Sequence, residues 1–87
     1  MKKYRSIKSY IGMLNEFYDP EDNVNIKNSL EEFVGKDKFV IYDVVEEGDF
    51  EDNIIKVRDK YYWMVERYEG LKFVEINDFE EIKDFVK

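Results

Sequence analysis

The chain predicts an α+β fold in the order α-α-β-β-β-β-α, with an antiparallel meander sheet and helices packed on one of its faces. Three observations predict it. Residues 53–76, NIIKVRDKYYWMVERYEGLKFVEI, read as three strands separated by two tight turns. Residues 4–18 and 26–34 carry apolar side chains at the three- and four-residue spacing of amphipathic helices. The connections between the last three strands are too short for a parallel crossover, which forces antiparallel neighbours.

In the first helix, Tyr4, Ile7, Ile11, Leu14 and Tyr18 make the stripe, and Tyr10 and Phe17 widen it. It has to stop by Asp19, because Pro20 lacks a donor and disfavours helical geometry in the residue before it. Residues 20–28 are rich in the turn formers Asn and Asp. They are not a Ca²⁺ loop: in a frame starting at Asp19, the sixth position is Val24 where glycine is needed and the twelfth is Leu30 where glutamate is needed. The second helix carries Ile26, Leu30, Phe33 and Val34, and Gly35 supplies its left-handed stop. Asn23 or Asn25 caps a longer version, whereas Ser29 with Glu32 makes a capping box for a shorter one.

Residues 38–45 open the sheet with a β-branched and aromatic run. Ile55 and Val57 alternate with Lys56 and Arg58, and a turn is expected at Asp59 and Lys60. Residues 61–65, YYWMV, are unbroken apolar, which requires a central strand covered on both faces. Glu69 and Gly70 make the next turn, with glycine supplying positive φ. A last helix is expected after Ile76, capped by Asn77 or Asp78, with Phe79, Ile82, Phe85 and Val86 buried.

No linker interrupts the 87 residues, so the chain is expected to form a single α+β domain, residues 1–87. A domain of this size buries roughly 60 to 65% of its unfolded surface, enough to fold alone. The N-terminus starts basic but has no apolar run, so no signal peptide is expected, and nothing approaches the length of a membrane span. The cytoplasm, a host's if the gene is phage-borne, is the expected location.

Composition excludes much chemistry. There is no cysteine, which removes disulfides, thiolate ligands and thiol nucleophiles. There is no histidine, the commonest general base and transition-metal ligand. No glycine-rich phosphate loop or nucleophile elbow is present, so no catalytic residues and no cofactor are expected. A carboxylate pair such as Asp43 and Glu66 would need a cleft holding the two at about 5 to 10 Å, which so small a domain has little volume to build.

Charge is distributed unevenly. Residues 1–15 hold Lys2, Lys3, Arg5 and Lys8 and no acid, although the chain as a whole carries a net charge of −7. Residues 43–52, DVVEEGDFED, hold six acids and no base: Asp43, Glu46, Glu47, Asp49, Glu51 and Asp52. A solvated connection that aids solubility is the plainest reading of such a run. A metal site is the weakest, because the spacing fits no Ca²⁺ loop.

The functional reading is an acidic surface that occupies a basic, nucleic-acid-binding site on a protein partner. Extended, the ten residues span about 33 Å, or one charge per about 5.5 Å. A DNA duplex presents one per about 1.7 Å, so further acids have to join by folding: Glu31, Glu32, Glu75, Asp78, Glu80, Glu81 and Asp84 are candidates. An inhibitor of the anti-defence type, carried by a phage or mobile element, is a role of that kind. The alternative is a direct single-strand nucleic-acid binder that stacks bases on Tyr61, Tyr62, Trp63, Tyr68 and Phe73 with help from Lys56, Arg58, Lys60, Arg67 and Lys72; the net charge opposes it.

Overall fold

The computed structural model describes residues 2–44, 53–67 and 70–86. Five antiparallel strands form one sheet in the order β1-β2-β3-β4-β5. They are β1 (Lys2–Tyr4), β2 (Phe39–Asp43), β3 (Asn53–Val57), β4 (Lys60–Arg67) and β5 (Gly70–Glu75), and α1 (Ile7–Leu14) and α2 (Val24–Val34) lie between β1 and β2. The expected α+β class, antiparallel order and helix-on-sheet packing are therefore present.

Strand alternation divides the sheet between two cores. On one face, Ile41, Ile55, Val57 and Met64 pack against Tyr10 and Leu14 of α1 and Ile26, Leu30 and Val34 of α2. Full burial of an aliphatic side chain of this size contributes about 1.5 to 3 kcal/mol, so this layer dominates the stability of the fold. Phe33 extends it toward the β5 edge, stacked on Phe73 at 3.9 Å between centroids and edge-on to Tyr62 at 4.9 Å. On the other face, Tyr42 and Ile54 form a smaller core with Ile82 from the C-terminal segment, flanked by Val40, Tyr61, Trp63, Ile76 and Val86.

Three local features differ from expectation. Tyr4 belongs to β1, not to the first helix: Ser6 is extended at φ −139 and its hydroxyl accepts from the Ser9 N–H at 3.1 Å, which sets the helix start after it. A three-residue strand such as β1 carries too short a pattern to separate from a helical stripe. As a result Tyr10 and Leu14 are fully buried, while Phe17 and Tyr18 beyond the helix are exposed.

The final helix of the expected order is replaced by a 3-10 turn, Phe79–Glu81, that packs on the sheet face opposite α1 and α2. Asp78 does cap it, its carboxylate accepting from the Glu80 N–H at 3.1 Å. The backbone then closes mainly i→i+3 bonds, from Glu81 to Asp78 at 3.1 Å and from Phe85 to Ile82 at 2.8 Å. A segment of ten residues repays helix nucleation poorly, and only Ile82 and Val86 of its apolar residues seat on the sheet; Phe79 and Phe85 stay 48% and 40% exposed.

The turn between β3 and β4 falls one residue earlier than expected, at Arg58 and Asp59, with φ of 53 and 63. Positive φ at both positions is the geometry that twists a two-residue hairpin correctly. Without glycine it costs free energy, and Arg58 recovers part of this through a 3.0 Å ion pair with Asp37 and a guanidinium 5.1 Å above the Phe33 ring. The other hairpin pairs Arg67 with Gly70, so Gly70 opens β5 at φ 133.

Of the possible starts of α2, the one after Asn23 is adopted. Asn23 is buried, and its side-chain amide donates to the Asn15 side-chain oxygen at 2.8 Å, tying the end of α1 to the start of α2. Ser29 caps nothing. Its hydroxyl donates to the Asn25 carbonyl at 2.8 Å and accepts from the Leu71 N–H at 3.1 Å, so α2 satisfies a donor at the start of edge strand β5.

Candidate functional site

Six acids define the candidate partner-binding surface. Glu46, Glu47, Asp49, Glu51 and Asp52 lie outside the described residues. Asp43 ends β2, half-buried, opposite Lys2 in the β1 register and close to Tyr4 and Tyr10.

The residues bracketing the acidic run are held by a buried polar network. Asn53 is fully buried; its side-chain carbonyl accepts from the Val44 N–H at 3.0 Å, and its amide donates to the Tyr10 hydroxyl at 3.0 Å. One side chain thereby ties the end of β2, the start of β3 and the middle of α1. Such a network is stabilising only when its members are satisfied, which makes this corner geometrically specific. Burial holds the Tyr10 hydroxyl well above the ordinary phenol pKa, and the charge of Asp43 adds to the rise. The bond from Asn53 acts in the opposite direction and does not overcome burial.

A second acidic segment begins nearby. Burial first, then the charges of Asp43 and Glu16, raise the pKa of Tyr4, so acids separated by 27 residues in sequence act on one hydroxyl. The connection that Glu16 begins also carries Asp19, Glu21 and Asp22, all exposed and with no base among residues 16–22. Sequence periodicity offered no signal that Glu16 and Asp43 act on one side chain, because that follows from the tertiary placement of β1 and α1 beside β2.

The other candidate acids are dispersed. Glu31 lies 3.9 Å from Lys27, Glu75 3.1 Å from Lys60 and Glu80 2.7 Å from Lys83. Exposed pairs of this kind contribute little to stability, and each carboxylate is partly neutralised. The bond to Glu75 raises the pKa of the exposed Lys60. Asp43 and Glu66 sit on different strands with no cavity between them among the described ones, and no described cluster of three or more Asp or Glu is placed to hold a metal ion.

The aromatic residues do not share a surface. Tyr62 and Phe73 face α2 and pack on Phe33, whereas Tyr61 and Trp63 face the C-terminal segment. Phe79 lies 5.3 Å from Tyr61, between centroids, and Tyr68 is outside the described residues. No helix is long and apolar enough to cross a membrane. No family model, curated protein or solved structure matches the chain.

Proposed function

We propose that this protein is a non-catalytic binding module whose acidic end blocks a basic, nucleic-acid-binding site on a protein partner. The observation that supports this reading is that the charges of Glu16 and Asp43, the first residues of the base-free acidic segments 16–22 and 43–52, both act on the Tyr4 hydroxyl. The run 43–52 alone is too dilute to stand in for a duplex; a second acidic segment has to add to it, and 16–22 is the candidate. The buried Tyr10–Asn53–Val44 network supports the reading further, because it fixes Val44 and Asn53, between which five of the six acids lie in sequence, relative to each other.

Inhibition of a defence nuclease or a transcription protein, in the cytoplasm of a cell invaded by a phage or mobile element, is a role of this kind. The absence of histidine and cysteine favours occlusion over catalysis. Opposite potentials accelerate encounter, so binding should be fast at low salt and weaken as salt rises. The test is retention of basic nucleic-acid-binding proteins on the immobilised chain at low salt, followed by elution with duplex DNA. Release by DNA supports competition for one site; retention unaffected by DNA refutes it.

A further inference from the structure

The end of the sheet opposite Asp43 carries the reverse charge. There β1 has ended at Tyr4 while β2 continues back to Phe39, so the short edge strand leaves the first part of β2 uncovered. A groove of about 790 Å³ opens at this place, in the size range of small-ligand sites. Four cations line it, Arg5, Lys38, Lys56 and Arg58, against a single acid, Asp59. Phe39 and Val40, both partly exposed, give it apolar wall.

Three of those cations are not engaged with described carboxylates. Arg58 pairs with Asp37, but Arg5, Lys38 and Lys56 form no ion pair among the described residues. Lys56 instead lies 5.4 Å from the Tyr61 ring centre. Arg58 is directed to Asp37 and lies over the Phe33 ring, so Arg5, Lys38 and Lys56 are the cations left for an anion in the groove. The wall of the groove also includes the β3–β4 turn, whose Arg58 and Asp59 both hold positive φ without glycine.

We infer that this groove binds a short polyphosphate, either free or as the tail of a nucleoside polyphosphate. Three adjacent negative charges match Arg5, Lys38 and Lys56 in sign and number, and lysine and arginine are the usual phosphate partners. The wall of Phe39 and Val40 offers an apolar contact that a nucleoside would use and free polyphosphate would not. This site is independent of the acidic end and stands whether or not that end binds a protein.

Titration calorimetry with inorganic tripolyphosphate and, separately, with ATP tests the inference, in metal-free buffer at low and at near-physiological salt. Saturable 1:1 binding of tripolyphosphate is expected, with affinity falling at least tenfold in Arg5→Ala/Lys56→Ala. The control Lys8→Ala/Lys27→Ala removes the same charge from the helical face and should leave affinity within about twofold. Lys38→Ala provides a second reading should the double variant lose its fold by circular dichroism. ATP binding tenfold tighter than tripolyphosphate assigns the site to nucleotides, and equal affinity assigns it to free polyphosphate. Absence of tripolyphosphate binding, or equal loss in the control variant, overturns the site.

Discussion

The Tyr10 hydroxyl accepts a 3.0 Å hydrogen bond from the Asn53 side-chain amide, 43 residues away, with both side chains fully buried. The bond joins the middle of α1 to the start of β3, while the Asn53 carbonyl holds Val44 on the far side of the acidic run. Tyr10→Phe should therefore cost about 1 to 3 kcal/mol in urea denaturation, because it removes a fully buried hydrogen bond from the Asn53 amide. Asn53→Ala should cost more, since it also frees the Val44 N–H. A Tyr10→Phe variant as stable as the parent would show that the network is not strained for partners.

The same hydroxyl predicts an alkaline limb. Its folded pKa is raised above the unfolded value near 10, so the native state retains the proton that the unfolded chain releases. That contribution is fully present below pH 10 and is lost as the pH rises from there toward the folded pKa. Denaturation midpoints measured from pH 8 to 11 should hold steady and then fall, and Tyr10→Phe should flatten the fall.

Gly70 gives a steric prediction. A Cβ at this position would overlap the Ser29 hydroxyl and lie 3.1 Å from the Asn25 carbonyl oxygen, and φ 133 disfavours any other residue. Gly70→Ala should lower stability by about 1 to 3 kcal/mol. Combining it with Ser29→Ala should relieve the overlap but not the backbone strain or the lost acceptor for Leu71, so the double variant should remain less stable than the parent.

The β3–β4 turn gives the opposite sign. Asp59 holds φ 63, a conformation glycine takes freely. Asp59→Gly should raise stability by about 0.5 to 1 kcal/mol in the same denaturation assay. A loss would mean that the Asp59 side chain makes a contribution larger than the strain it relieves.

The C-terminal segment depends on one side chain. Ile82 is fully buried against Tyr42 and Ile54, and Ile82→Ala should cost about 2 to 4 kcal/mol. Release of the segment would uncover the neighbouring Trp63, so its fluorescence should shift to the red before global unfolding. A variant with parental Trp63 emission throughout would show that the segment stays docked.

Residue patterns carried the larger elements of this fold. The unbroken run at residues 61–65 marks a central strand, and Gly35 at φ 58 ends α2 where its sequence position indicates. The misread elements are those whose identity depends on distant contacts. Tyr4 fits a helical stripe until β2 offers it a strand to pair with, and the stripe from Phe79 to Val86 looks helical until the sheet accepts only Ile82 and Val86. The acidic run was visible as composition, but that Asp43 and Glu16 act on one tyrosine follows only from tertiary placement. Likewise Arg5, Lys38 and the pair Lys56 and Arg58 lie on three separate stretches of chain, and the pairing of β2 with β3 beside the end of β1 brings them around one groove.

Occlusion of a basic site by the acidic end is tested most directly by charge reversal. A DNA-binding protein retained at low salt would be titrated against the parent and against Glu46→Lys/Glu47→Lys/Asp49→Lys/Asp52→Lys, with labelled duplex DNA as the displaced ligand. The account predicts that the parent displaces DNA stoichiometrically and that the variant loses at least tenfold in affinity together with most of the salt dependence. Equal displacement by both proteins, with the same salt slope, would contradict it.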